Sequence, residues 1–129
     1  MSKTKVLVVE NELLIALNLH NNLEENGYDV TYNAISGENA VQLAESEKPD
    51  VILMDICLSG NMDGFSAAEN IRKFSSVPII FLSGIIDKEG IFYKQVFGPF
   101  TILKKPFTMF ELLSTIKSVI NLSTHFENA

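Results

Sequence analysis

Short apolar runs alternate with helically patterned stretches along the whole chain. Residues 6–9, 51–54 and 78–82 are apolar throughout and lack the polar alternation of a strand with one wet face. Such runs read as parallel strands covered on both sides. Between them the period changes. Ile15, Ala16, Leu19 and Leu23 share one face of a helix expected over residues 12–26, with Gly27 as its C-cap. Residues 28–32 are more polar and read as an edge strand. Ser36 is placed to cap a helix running to about Glu47, with Ala40, Leu43 and Ala44 inward. Asp63 opens a helix to about Phe74, Asp87 a shorter one to about Phe97, and a last helix covers about Thr108 to Leu122. Residues 100–103 form a fifth strand. Five βα units in succession predict a doubly wound parallel sheet with helices on both faces.

Composition bounds what such a domain can do. The 129 residues fit one domain, and 47% apolar with 20% charged side chains is enough for a packed core. The formal net charge is −6. Nucleic-acid binders carry a basic face, so no direct nucleic-acid contact is expected. No apolar run reaches the ~20 residues of a membrane span, and the N-terminal apolar stretch is too short for a secretory signal. Cys57 is the single cysteine and cannot form an internal disulfide. A soluble, cytoplasmic protein is the expectation.

In open parallel sheets, ligands bind outside the carboxyl ends of the strands. The first strand ends in Glu10-Asn11-Glu12, the third in Asp55, the fourth in Ser83 and the fifth in Lys105. One edge would therefore gather carboxylates, a hydroxyl and an ammonium group. Oxygen ligands of this kind suit Mg2+, which keeps several of its waters. A carboxylate beside the ion can attack phosphorus to form an acyl phosphate. A hydroxyl and a lysine can hold the phosphoryl oxygens.

These motifs resemble those of a response-regulator receiver domain of two-component signal transduction. Leu7-Val8-Val9-Glu10-Asn11-Glu12 resembles its acidic first loop, and Leu53-Met54-Asp55-Ile56 its phosphoacceptor motif. Met62-Asp63-Gly64 resembles the turn opening its third helix, Phe81-Leu82-Ser83-Gly84 its switch-hydroxyl motif, and Lys105-Pro106-Phe107 its lysine motif with a cis peptide bond. The resemblance covers essentially the whole chain. It implies a flavodoxin-like (βα)5 fold with strand order 2-1-3-4-5; with the last helix expected to end near Leu122, the receiver domain covers residues 1–122 and residues 123–129 are a frayed tail. It implies a signalling module that promotes its own phosphorylation rather than an enzyme with an outside substrate. By the same resemblance, Asp55 accepts a phosphoryl group from a histidine kinase or phosphotransfer protein. Glu10, Asn11, Asp55 and the backbone carbonyl of Cys57 hold Mg2+, while Ser83 and Lys105 contact the phosphoryl group.

Three positions depart from the family's pattern. Asn11 stands where the second acid of the pair is usual, and an amide brings no charge to the metal. Ile102 stands where an aromatic or histidine often couples to the switch hydroxyl. Gly84 replaces a common alanine. Asn11 and Ile102 keep open a second reading, a phosphorylation-independent pseudo-receiver acting as a constitutive interaction module. A phosphatase or flavin site on a similar sheet fits less well. Cys57 stands where a second phosphatase aspartate would be, and no Ser/Thr/Gly-rich phosphate loop follows the first strand. Glu12, His20 and His125 read as solvated surface residues. Leu13, Leu14 and Leu17 fall off the inward face of the first helix, the face on which receivers often dock a kinase; the alternative is packing against nearby loops. Phe92, Tyr93, Phe97, Phe100, Phe107 and Phe110 gather around the last two helices and the fifth strand. Some must be core, and the rest suit a homodimer face.

Overall fold

The computed structural model describes residues 3–30, 33–58, 60–84 and 96–127, with side chains up to Asn121 in the last helix. Five parallel strands lie in the order β2-β1-β3-β4-β5. They are β1 (Val6–Val9), β2 (Asn33–Ala34), β3 (Val51–Asp55), β4 (Ile79–Ser83) and β5 (Phe100–Lys104). The helices are α1 (Leu13–Glu25), α2 (Gly37–Glu47), α3 (Gly64–Ile71) and α4 (Met109–Glu127).

The uniformly apolar strands are explained by a core on each face of the sheet. β1, β3 and β4 are buried at every residue. Alternate side chains point to opposite sides. Val6, Val8, Leu53, Ile80 and Leu82 meet Leu19 and Leu23 of α1 and Leu112, Ile116 and Val119 of α4. Leu7, Val9, Ile52, Met54 and Phe81 meet Ala40 and Ala44 of α2 and Ala67, Ala68 and Ile71 of α3. Full burial of a Leu or Ile side chain stabilises by about 1.5–3 kcal/mol. Small residues on α2 and α3 let those helices approach the sheet closely.

Local chemistry fixes the helix ends. The Ser36 hydroxyl accepts from the Asn39 N–H at 3.1 Å, and the Asp63 carboxylate accepts from the Ser66 N–H at 2.8 Å. Thr108 and Glu111 cap α4 reciprocally: the hydroxyl accepts from the Glu111 N–H, and the carboxylate accepts from the Thr108 N–H. After α1, the Gly27 N–H donates to the Glu24 carbonyl and the Tyr28 N–H to the Leu23 carbonyl. Gly27 has φ +90°, which the closing turn requires and glycine adopts freely.

Several boundaries differ from the sequence expectations. Ala16, Leu19 and Leu23 are inward on α1, but Ile15 is 40% exposed. The stripe at spacings of three and four leaves Ile15 at its margin. The edge strand was expected over residues 28–32. Asp29 does bridge to Lys5, yet the regular pairing is Asn33–Ala34 against Val8 and Val9. Thr31 and Tyr32 lie outside the described residues. α3 stops at Ile71, short of Phe74, where the Arg72 side chain turns to bind backbone carbonyls. α4 continues to Glu127 rather than ending at Leu122, because no glycine or proline interrupts the segment. The helix expected from Asp87 falls largely on residues 85–95, outside the described residues, as do Phe92 and Tyr93; Val96 and Phe97 are not helical.

Candidate functional site

Strand register brings the four strand-end groups to one edge. Val9 pairs with Met54, Asp55 with Leu82, and Ser83 with Lys104. Glu10, Asp55, Ser83 and Lys105 therefore emerge together at the carboxyl end of the sheet. The Lys105 N–H donates to the Ser83 carbonyl at 2.7 Å, tying those two chain segments. The Lys105–Pro106 peptide bond is cis.

Asp55 is buried, and its Oδ1 accepts from the Cys57 N–H at 3.1 Å. The Lys105 Nζ lies 3.5 Å from the same oxygen. The loop after β3 is held by the Gly64 N–H donating to the Ile56 carbonyl. That loop passes so close that a Cβ on Gly64 would sit 2.6 Å from the Asp55 carbonyl oxygen. The glycine of Met62-Asp63-Gly64 is thus a requirement of packing around Asp55, while Asp63 starts the helix.

Glu10 is 2% exposed. Burial pushes its carboxyl up to about 7; a hydrogen bond and repulsion from Asp55 add to this, and the Lys105 charge and the Glu12 N–H oppose it. Its Oε2 is buried without a hydrogen-bond partner. An orphaned carboxylate oxygen beside a second carboxylate fits a hard cation, which would restore the lost stabilisation. Asn11 and Glu12 are exposed. Among the described residues no group of three His, Cys, Asp or Glu is placed to hold a metal.

Ser83 is buried at the end of β4. Cys57 is exposed and contributes its amide to Asp55. Ile102 is 41% exposed on β5. His20 is a surface residue 3.8 Å from Glu24. Leu13, Leu14 and Leu17 are exposed, as are Phe97 and Phe110. Phe100 and Phe107 pack against the core. One neighbour of the site had no signal in the sequence. Asn33 lies with its Nδ2 3.5 Å from the Glu10 carbonyl oxygen, on a strand expected to end before it.

Comparisons with known proteins agree with this architecture. Residues 6–117 match the family described as the response regulator receiver domain. The transcriptional regulatory protein PdtaR of Mycobacterium tuberculosis is 32% identical over 117 residues, covering 91% of this chain and 57% of that protein. The chain thus spans little more than half the length of this curated relative. The signal receiver domain of a modulated diguanylate cyclase from Desulfovibrio desulfuricans superposes with a TM-score of 0.84 at 34% identity, covering 95% of this chain and 98% of that one. The receiver domain of a sensor histidine kinase from Pseudomonas aeruginosa, with a magnesium ion coordinated in its active-site cleft, gives 0.81 at 31% identity, covering 93% and 99%. No helix among the described residues is long and apolar enough to cross a membrane. With its fold and most of its length matched, the chain belongs to the response regulator receiver domain family of two-component signalling modules.

Proposed function

We propose that this receiver takes a phosphoryl group onto Asp55 from a histidine kinase or phosphotransfer protein, in a Mg2+-dependent reaction, and thereby switches a protein-interaction surface. The grouping of the Asp55 carboxylate with the Lys105 ammonium 3.5 Å away carries the reading. An Asp55 oxygen attacks the phosphorus of a phosphohistidine. The O–P bond forms as the P–N bond breaks, and the imidazole leaves with the electron pair and takes up a proton. Lys105 contacts the phosphoryl oxygens, and the Ser83 hydroxyl closes on them from β4. Glu10, Asn11, Asp55 and the Cys57 carbonyl would hold Mg2+, and the unpartnered Glu10 Oε2 supports this. When bound, the ion offsets the negative charge of the carboxylates and the incoming phosphoryl group. The chain acts on itself and has no outside substrate, and it works in the cytoplasm. Phe97, Ile102 and Phe110, exposed beside β5 and on α4, form the homodimer face.

Intact mass after incubation with acetyl phosphate tests the reading. One added phosphoryl group is expected with Mg2+, and none without Mg2+ or in Asp55→Asn. A second reading, the constitutive interaction module, is favoured by the exposed, uncharged Asn11. A folded chain that gains no phosphoryl group and does not respond to beryllium fluoride with Mg2+ supports that alternative.

A further inference from the structure

Two buried side-chain oxygens lack a hydrogen-bond partner among the described residues: Glu10 Oε2 and Asn33 Oδ1. Their residues meet at one corner of the sheet. Asn33 pairs with Val8, and its Nδ2 lies 3.5 Å from the Glu10 carbonyl oxygen. In this orientation the carboxamide turns its NH2 toward the Glu10 carbonyl and leaves its oxygen as an acceptor. The deficit is one-sided, with two acceptors and no donor. Leaving such groups unsatisfied is costly. Water carried by a divalent cation suits this deficit. Its oxygen faces the ion and both of its hydrogens point outward, polarised toward acceptors. Mg2+ retains several such waters. The exposed Asn11 adds no charge, so acceptors around the ion gain weight in holding it.

We infer that Asn33 is a positioning residue of the cation site: its buried Oδ1, beside Glu10, accepts a hydrogen bond from a water carried by the bound divalent ion. The inference rests on the reading of that site as a Mg2+ site. Groups that orient a metal's surroundings commonly change metal affinity about 10–100-fold when removed.

Calorimetric titration of the full chain with Mg2+, and separately with Mn2+, tests this. The variants are Asn33→Leu and Asn33→Asp, each checked by thermal unfolding in EDTA. Leucine removes donor and acceptor together. Aspartate keeps the acceptor, adds charge and loses the donor to Glu10. The leucine variant is expected to weaken both ions about tenfold, and the aspartate variant to tighten both. A purely structural role through the Glu10 carbonyl predicts weaker binding in both variants, and that result overturns the inference. Unchanged affinity in the folded leucine variant overturns it too, and leaves the Mg2+ site standing. Wild-type chain that binds neither ion overturns the Mg2+ reading and this inference with it. If the leucine variant does not fold, the aspartate variant decides alone: tighter binding supports the role, and equal or weaker binding overturns it.

Discussion

Gly64 presses against the backbone of Asp55, so closely that a Cβ there would stand 2.6 Å from the Asp55 carbonyl oxygen and 3.0 Å from the Ile56 Cα. Both contacts are backbone and cannot swing aside. Gly64→Ala is expected to destabilise the domain by about 1–3 kcal/mol. Gly84 is the control, since among the described residues nothing lies within 4 Å of a Cβ there. Gly84→Ala should change stability by no more than about 0.5 kcal/mol, or raise it slightly by restricting the unfolded chain. Urea unfolding of the two variants beside wild type measures both effects, and equal costs would contradict the packing argument.

The Glu10 carboxyl, pushed up to about 7 chiefly by burial, makes stability depend on pH. An acid whose folded pKa lies above its unfolded value holds its proton more tightly when folded. Stability is then full below the unfolded value of 4.5 and declines as pH rises through about 7. In metal-free buffer the loss attributable to Glu10 is on the order of 3 kcal/mol. Glu10→Gln keeps the shape and removes the titration. Unfolding free energies of wild type and variant, measured at several pH values in EDTA, should diverge toward alkaline pH with the variant the more stable. Parallel curves would show that Glu10 carries no such shift.

Arg72 holds the far side of the domain. Its guanidinium donates to the carbonyls of Phe97 at 2.5 Å, Val77 at 2.6 Å, Pro99 at 2.8 Å and Ser75 at 3.3 Å. Burial lowers its pKa. The planar fork reaches carbonyls on both segments that lead into β4 and β5, and lysine cannot reproduce that geometry. Arg72→Met should cost about 1–3 kcal/mol by leaving part-buried carbonyls unpaired, and Arg72→Lys should recover only part of it. Thermal unfolding checks the order of the three proteins.

Lys105 faces Asp55 across 3.5 Å at a partly exposed position. Lys105→Met should therefore change stability by under about 1 kcal/mol. Its loss should instead slow phosphoryl uptake roughly 100-fold, because a charge aimed at the reacting oxygens is gone. Rates with acetyl phosphate separate the two effects. A variant that is poorly folded but normally reactive would reverse this assignment.

The sheet was legible because its central strands are buried on both faces and apolar throughout. Val6–Val9 and Val51–Met54 are β-branched or long apolar residues in runs too short for a helix. The strand-end residues were legible for a related reason. Glu10, Asp55 and Ser83 each end such a run, Lys105 follows the less buried β5, and parallel register carries them to one edge. The edge strand was harder. It pairs at only two regular positions, one of them the polar Asn33, so no pattern marked it. The hydrogen-bonding roles of Asn33 and Arg72 depend on contacts with segments 23 and 27 residues away in sequence. The end of α4 carries no stop signal in the sequence, since no glycine or proline follows Leu122, and the helix runs on to Glu127.

The most direct test of the account is to locate the phosphoryl group itself. After incubation with acetyl phosphate and Mg2+, borohydride reduces an aspartyl phosphate to homoserine, which peptide mass mapping reads by position. Homoserine is expected at position 55 and at no other acidic residue. Reduction at another carboxylate with Asp55 intact, or none in a chain that has gained a phosphoryl group, would contradict it.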